Sequence, residues 1–305
     1  MLAAIRSFFA EASVLEVETP IASRAAISDP ALDSLGTRWQ GPGQPGGLPL
    51  YLQTSPEFAM KRLLAAGSGP IYQICKVFRD GERGRLHHPE FSLLEWYRPG
   101  LGYRELMTEV AAVVRRVLDA PGLSVEEIPY RDLFRDRLGL DPWHTDLDAL
   151  GRVALELGIQ GVGLHLDLDG WLDLLLTHCL EAHLGRGCMT FIYDYPPSQA
   201  ALARVRAGPA PVGERFELYL EGMELANGFH ELTDAGEQQR RFTQDLAERA
   251  LAGCPTPPLD EAFLAALAAG MPAASGVAVG LDRLLMVKTG ACHIDEVLAF
   301  PVERA

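Results

Sequence analysis

Four stretches of this chain carry the residue types that chemistry on phosphates, cations and carboxylates requires. The first is Val77-Phe78-Arg79-Asp80-Gly81-Glu82-Arg83-Gly84-Arg85-Leu86-His87-His88-Pro89-Glu90-Phe91, in which an apolar run ends in arginine and a donor-rich loop leads to a second apolar run. Arg79 at such an edge can present its planar fork to a phosphate; a solvated, charged hairpin tip is the alternative. The second is the run that follows, where alternation puts Phe91, Leu93, Glu95 and Tyr97 on one face of a strand. A carboxylate among apolar neighbours needs a cation or donors, and Glu95 with Tyr97 suits a bound ammonium; an internal Arg or Lys partner would serve equally.

The third stretch, Glu224-Leu225-Ala226-Asn227-Gly228-Phe229-His230-Glu231, places two carboxylates seven residues apart. In a straight strand an odd offset sends them to opposite faces, so a turn or bulge is needed to bring them together, and Asn227-Gly228 can supply it. Paired hard oxygens of this kind suit Mg²⁺ beside phosphates. Asn-Gly can also be no more than a turn. In the fourth, Ser275-Gly276-Val277-Ala278-Val279-Gly280-Leu281-Asp282-Arg283, an apolar strand opens through Gly280 into a helix with Arg283 in its first turn. A helix start plus arginine favours an anion; a glycine-punctuated core strand is the other reading.

The surrounding pattern predicts the elements that position these residues. We expect a helix over 2–12, a strand over 14–18, an irregular Gly/Pro-rich loop over 40–49 and a strand over 50–52. A helix over 56–66 follows, with Thr54 or Ser55 as its cap and Glu57 as a capping-box carboxylate. Runs 71–79 and 91–98 read as a long hairpin, and helical patterns dominate 103–190, including 103–118 and 171–184. Strands return over 189–193 and 216–220, and Asp234 to Glu237 opens a helix ending near Gly253. A strand over 277–280, a helix over 282–288 and a strand over 297–301 close the chain. Hairpins mixed with unevenly spaced helices favour an α+β antiparallel sheet over a parallel one.

Composition narrows the function classes. With 48% hydrophobic and 22% charged residues the chain can bury a sizeable core. A net charge of −14 opposes binding held by phosphate contacts to nucleic acid, so tRNA is disfavoured as a partner. No apolar run is long enough to span a membrane, and the start lacks the pattern of a signal peptide. Five scattered cysteines without a C-x-x-C pair read as reduced thiols, which points to a cytoplasmic protein. His178 and His183 are offset by five, which does not stack two metal ligands on one helical face.

In that order the segments resemble the motifs of class II aminoacyl-tRNA synthetases, and within them the lysyl branch. Val17-Glu18-Thr19-Pro20 resembles the first, dimer-forming motif, Phe78-Arg79 through Glu95-Trp96-Tyr97 the second, and Gly280-Leu281-Asp282-Arg283 the third. Tyr193-Asp194-Tyr195-Pro196-Pro197-Ser198-Gln199-Ala200 and the 224–234 stretch are more similar still to the freestanding lysyl-tRNA-synthetase-like ligases that attach (R)-β-lysine to a lysine side chain of elongation factor P.

The resemblance implies a single catalytic domain over 1–305, an antiparallel sheet flanked by helices with a helical insertion at about 103–190 and no anticodon-binding domain. It implies a homodimer, ATP and Mg²⁺ as cofactors, elongation factor P as acceptor, and lysine or (R)-β-lysine as substrate. Catalysis falls to Arg79 and Arg283, and ATP contacts to Arg79, Asp80, Gly81, Glu82, His88, Glu224, Leu225, Gly280 and Arg283. Substrate contacts fall to Ser55, Pro56, Glu57, Glu95, Tyr97, Asn227, Glu231 and Ala278, with Glu95, Tyr97, Asn227 and Glu231 on its amines; Glu224 and Glu231 hold the metal.

Three positions depart from the family pattern. Gly81 stands where a glutamate usually bonds adenine, leaving that contact to Glu82 or the backbone. His88 replaces the usual asparagine, and Ala278 a glycine; its methyl narrows the pocket beside the substrate's α-carbon, which fits a displaced amino group. A truncated lysyl-tRNA synthetase acting on tRNA or another acceptor, and a catalytically inactive regulator, are the alternatives, the second opposed by intact Arg79, Glu224, Glu231 and Arg283.

Overall fold

The structure is a computed structural model and describes residues 1–159 and 166–305. It divides into two compact units, one of Met1–Leu101, Thr233–Ala274 and Ala278–Ala305, the other of Gly102–Leu232 with Ser275–Val277.

The first unit begins with α1 (Leu2–Glu11), whose buried residues Ile5 and Phe9 lie four apart on one face. Phe9 stacks on Tyr72 with ring centroids 4.4 Å apart and meets Trp96 edge-on at 5.3 Å. The expected strand over 14–18 shortens to β1 (Leu15–Glu16). Strands β2 (Ala22–Ser23), β3 (Gly36–Trp39) and β4 (Leu48–Leu52) form a small antiparallel sheet in the order β2-β4-β3, so the Gly/Pro-rich loop is the connection of a hairpin. Then come α2 (Glu57–Ala65), β5 (Ile71–Phe78) and β6 (Glu90–Pro99). β5 and β6 form the predicted antiparallel hairpin, with Gln73 opposite Glu95 and Phe78 opposite Glu90; β1 joins β5 in parallel.

The second unit starts with α3 (Tyr103–Leu118), an amphipathic helix ended by Asp119 in the left-handed region at φ 58°. β7 (Val125–Pro129) interrupts the stretch expected to be helical. Next are α4 (Tyr130–Leu138), α5 (Leu147–Glu156) and α6 (Leu168–Leu175), the last continuing as a π-helical turn over Leu176–Leu180 in place of the helix expected to 184. Residues 160–165 of that expected helical stretch lie outside the described residues. β8 (Met189–Tyr195), β9 (Val205–Arg206), β10 (Val212–Leu220) and β11 (Met223–His230) complete the unit. β10 is antiparallel to β8, β9 and β11, while β7 runs parallel to β8. Pairing is therefore mainly antiparallel in both units, as expected, with one parallel pair in each. Tyr130, Phe134, Leu150, Leu172, Leu175 and Ile192 are buried together between these helices and strands.

The chain returns to the first unit with α7 (Ala235–Leu251), α8 (Glu261–Gly270) and α9 (Leu281–Thr289); β12 (Ala274–Gly280), which leads into α9, gives Ser275–Val277 to the second unit. Asp234 caps α7 by accepting the Glu237 amide at 2.8 Å. Phe58 of α2 stacks on Phe263 of α8 at 4.8 Å and tilts against Phe242 of α7. The strand expected over 297–301 is absent: short 3₁₀ turns, Ile294–Glu296 and Val302–Arg304, take up the local backbone hydrogen bonds on either side of Pro301. Among the described residues no helix is long and apolar enough to cross a membrane, and all five cysteines are free.

Candidate active site

In the first unit the functional side chains hang on the β5–β6 hairpin. Glu95 is enclosed at 2% exposure and accepts hydrogen bonds from Tyr97 Oη at 2.6 Å and Ser55 Oγ at 2.8 Å. Ser55 Oγ in turn accepts the Glu57 amide at 3.0 Å, so one hydroxyl ties the start of α2 to the carboxylate. Pro56 is the residue from which α2 begins. Glu57 does not close a capping box. Its carboxylate pairs with Lys61, one turn on, whose side chain is fully buried. Burial pushes the Glu95 carboxyl up to about 8, the charge of Glu57 pushes the same way, and the bonds from Tyr97 and Ser55 and the charge of Lys61 oppose them. Lys61 thus joins the group as a cation that the sequence reading anticipated only as a type.

At the other end of the hairpin, Arg79 lies with its guanidinium 5.0 Å above the Phe91 ring. Its Nε is buried and has no hydrogen-bond partner among the described residues, and its Nη1 is 3.4 Å from Glu82. Phe91 shares one strand face with Glu95 and Tyr97, Glu95 being four positions along, or ~13 Å at roughly 3.3 Å per residue. Arg283 reaches the same loop: its Nε donates to the Leu86 carbonyl at 3.2 Å and its Nη2 contacts His87 Nε2 at 2.9 Å. Burial and the charge of Arg283 hold the His87 pKa below its ordinary value, so the ring is neutral and Nε2 accepts. Gly280 immediately precedes α9, and Asp282 Oδ2 accepts the Ser92 amide at 2.6 Å, which fixes the helix start to β6. His87 and Asp282 were not among the residues the sequence reading selected.

The departures from the family pattern have local explanations. Gly81 has φ of 76°, where a glutamate would be strained. Its amide is bonded to Asp80 Oδ1, and the Asp80 amide to the Asp33 carbonyl. Glu82 faces Arg79. His88 uses both ring nitrogens on main chain: Nε2 accepts the Val302 amide at 2.9 Å and Nδ1 lies 2.6 Å from the Glu90 carbonyl. Ala278 is partly buried in β12.

In the second unit the Asn227-Gly228 pair makes no turn, contrary to expectation. Both residues lie inside β11, and neither has positive φ. Gly228 is there for close approach: a Cβ would stand 2.4 Å from the Phe216 ring and 2.9 Å from the Gly276 carbonyl. The required irregularity lies at Leu225. Register passes from Leu218 opposite Ala226 to Tyr219 opposite Glu224, so Leu225 is the extra residue of a bulge. One inserted residue converts the odd offset to an even one, and Glu224, Asn227 and Glu231 come to one face. Their hard carboxylate oxygens are a donor set that Mg²⁺ accepts when phosphates and water complete its shell.

The same face carries a network that sequence reasoning missed. Arg215 of β10 donates through Nε to Asn227 Oδ1 at 3.3 Å, through Nη1 to the Gln199 carbonyl at 2.8 Å and through Nη2 to Glu217, and stacks 4.4 Å over Tyr195. Tyr219 donates to the other Glu217 oxygen. Because arginine only donates, the Asn227 atom facing it is the carbonyl oxygen, and the amide presents its NH₂ outward. Such an NH₂ can donate to a carboxylate or phosphate oxygen, while the second lone pair of Oδ1 can still accept, as the amine expected from the sequence would require. The only hint was the alternation Arg215, Glu217, Tyr219 along one strand face.

A family model described as tRNA synthetases class II (D, K and N) matches residues 1–304. The elongation factor P–(R)-beta-lysine ligases of Salmonella dublin, Salmonella gallinarum and Salmonella heidelberg are each 49% identical over 306 aligned positions, covering 100% of this chain and 94% of the relative.

Proposed function

We propose, from the premise that this chain belongs to the class II tRNA synthetase family of the D, K and N branch, that it is a ligase that activates (R)-β-lysine, or lysine, with ATP and transfers it to a lysine side chain of elongation factor P. The observation that carries this reading is the single face of β6 on which Phe91, beneath the Arg79 guanidinium with its unpartnered buried Nε, stands ~13 Å from Glu95, which Tyr97 and Ser55 hold. That spacing suits an extended diamino acid, its distal ammonium on Glu95 and its carboxylate near a phosphate held by Arg79.

A carboxylate oxygen of the amino acid attacks the α-phosphorus of ATP, and the bond to pyrophosphate breaks. The acceptor amine then attacks the acyl carbon, AMP leaves with the bonding pair, and the amine proton passes to solvent. Neither step needs a protein nucleophile; both need alignment and neutralisation of developing charge. We assign Arg79 to the α-phosphate and Arg283 to the terminal phosphate. Asp80, Gly81, Glu82 and His88 shape the loop that receives ATP, and Gly280 lets the nucleotide approach the backbone.

Glu224 and Glu231 would hold Mg²⁺, which neutralises phosphate charge when bound, with Leu225 supplying the bulge that aligns them. Asn227 donates to a substrate oxygen, while Ser55, Pro56 and Glu57 set the Glu95 carboxylate. Ala278 narrows the space beside the α-carbon. Leu2, Leu15 and Ile21 leave apolar side chains exposed around the first motif, which supports a homodimer. A cytoplasmic location accords with a translation factor as acceptor.

The test is pyrophosphate exchange with ATP and each of (R)-β-lysine and lysine, followed by the mass of elongation factor P. Exchange dependent on either amino acid, and a mass gain of one acyl residue on the acceptor, are expected. Exchange without acylation of the acceptor would reject the acceptor assignment, and absence of exchange would reject the reaction.

A further inference from the structure

The loop between β5 and β6 carries Arg79 and His87, yet inside itself it has few bonds: the Arg79 amide to the Pro89 carbonyl, a Gly84–His87 pair, the Asp80–Gly81 turn and a 3.4 Å contact of Arg79 with Glu82. A loop so lightly tied, with glycines at 81 and 84, would not by itself hold Arg79 and the His87 ring that meets Arg283 in register. Apart from Arg283 at Leu86 and His87 and the Asp33 carbonyl at the Asp80 amide, its remaining contacts run to one place. Arg83 grips Glu303 with two bonds, Nε to Oε1 at 2.7 Å and Nη2 to Oε2 at 3.0 Å, and Asp295 with a third at 2.8 Å. The Arg85 carbonyl accepts the Ile294 amide at 2.9 Å. His88, 5% exposed, accepts the Val302 amide on Nε2 at 2.9 Å.

We propose that the 294–303 segment is the anchor of the phosphate loop, with Arg83 and His88 as positioning residues that set affinity for ATP and leave affinity for the amino acid alone. The proposal rests on the reading of Arg79 and Arg283 as phosphate ligands. Positions 83, 85 and 88 face the anchor, while 79 and 87 stand at Phe91 and Arg283. The anchor is itself braced: Glu296 accepts the amides of Cys292 and His293, and His293 Nδ1 accepts that of Asp295. One exposed ion pair contributes little, but a fork shared by two carboxylates has fixed geometry. The buried His88 bond also accounts for a histidine where the family carries asparagine, since His88 spans from the Glu90 carbonyl to the Val302 amide.

Two variants test this without touching the phosphate ligands. Arg83→Met removes the fork. Val302→Pro removes the amide that His88 accepts, at the first position of a 3₁₀ turn after Pro301, whose ψ of 155° tolerates a following proline; Val302→Ala keeps the amide and is the control. Amide hydrogen exchange over 80–88 should speed at least tenfold in Arg83→Met and Val302→Pro, and KM for ATP should rise about tenfold, the equivalent of ~1.4 kcal/mol. KM for the amino acid should stay within twofold, and Val302→Ala should match wild type. Unchanged exchange in the loop overturns the anchor whatever the ligand. Loss of ATP binding in Arg79→Ala with an unchanged KM for ATP in Arg83→Met overturns the link to affinity while leaving the phosphate reading standing. A parallel rise of both KM values in Arg83→Met and Val302→Pro would show general damage and also overturn it.

Discussion

Glu95 should make this enzyme's stability and its use of substrate respond to pH in opposite directions. The carboxyl is buried beside Glu57 and Lys61, and its pKa is pushed from an ordinary 4.5 up to about 8, chiefly by burial and next by Glu57. Between those values the folded protein holds a proton that the unfolded chain has lost. The contribution therefore favours the fold below pH 4.5, falls as pH rises and is gone above about 8. The span from 4.5 to about 8, at about 1.4 kcal/mol per pH unit, amounts to about 5 kcal/mol.

An ammonium seated on Glu95 supplies the missing counter-charge and expels the proton. Binding near pH 7 should then release about one proton, and kcat/KM for the diamino acid should climb about tenfold per pH unit from 6 towards 8 before levelling. Glu95→Gln removes the titration, so unfolding free energy should no longer fall between pH 5 and 8. The same variant should lose a charge-assisted contact of ~1.5–3 kcal/mol, roughly 10- to 150-fold in kcat/KM. Urea unfolding and pyrophosphate exchange across that range measure both. Parallel stability profiles for wild type and variant, or a kcat/KM indifferent to pH, would refute the reasoning.

Arg79→Ala should slow adenylate formation by roughly 10- to 150-fold or more with the fold intact, since it removes a charge-assisted phosphate contact of ~1.5–3 kcal/mol or more; near-normal pyrophosphate exchange would contradict the assignment. Glu224→Gln should raise the Mg²⁺ concentration needed for half-maximal rate severalfold, and a magnesium titration that overlays wild type would remove Glu224 as a ligand. Arg215→Met should lower kcat/KM for the amino acid by about tenfold, ~1.4 kcal/mol, in the wild-type background and hardly at all when Asn227→Ala is already present. Additive losses would mean that Arg215 does not act through the Asn227 amide.

Much of this was legible in the sequence because it is local. Alternation along 91–97 put Glu95 and Tyr97 on one face, and the hairpin, α3 and the capped start of α7 formed where their patterns indicated. What was missed depends on partners far along the chain. Lys61 sits in a helix as an ordinary amphipathic residue, and only the packing of α2 shows that its side chain is buried against Glu57. Asp282 meets the Ser92 amide across 190 positions, and Arg249 reaches the carbonyls of Asp29 and Leu32 across more than 200. The parallel strand β7 was hidden because its pairing with β8 links residues some sixty positions apart inside a largely helical stretch.

The 224–231 stretch shows how a correct geometric expectation can point to the wrong residue. Two glutamates at an odd spacing demand an extra residue somewhere between them if they are to share a face, and that demand is a property of the strand alone. The sequence offered Asn227-Gly228 as the obvious place, because both types tolerate turns. The fold uses Leu225, a buried apolar residue with nothing in its type to mark it, and spends Gly228 on admitting the Phe216 ring. Parity constrained where the carboxylates point; packing determined which residue pays for it. The same division separates Glu95, whose partners Tyr97 and Ser55 follow from one strand and one helix start, from Asn227, whose donor orientation follows from Arg215 on the neighbouring strand. An amide whose oxygen accepts from a guanidinium turns its NH₂ the other way, so on the proposed reading Asn227 would donate to a substrate oxygen while Glu95 and Tyr97 would take the amine.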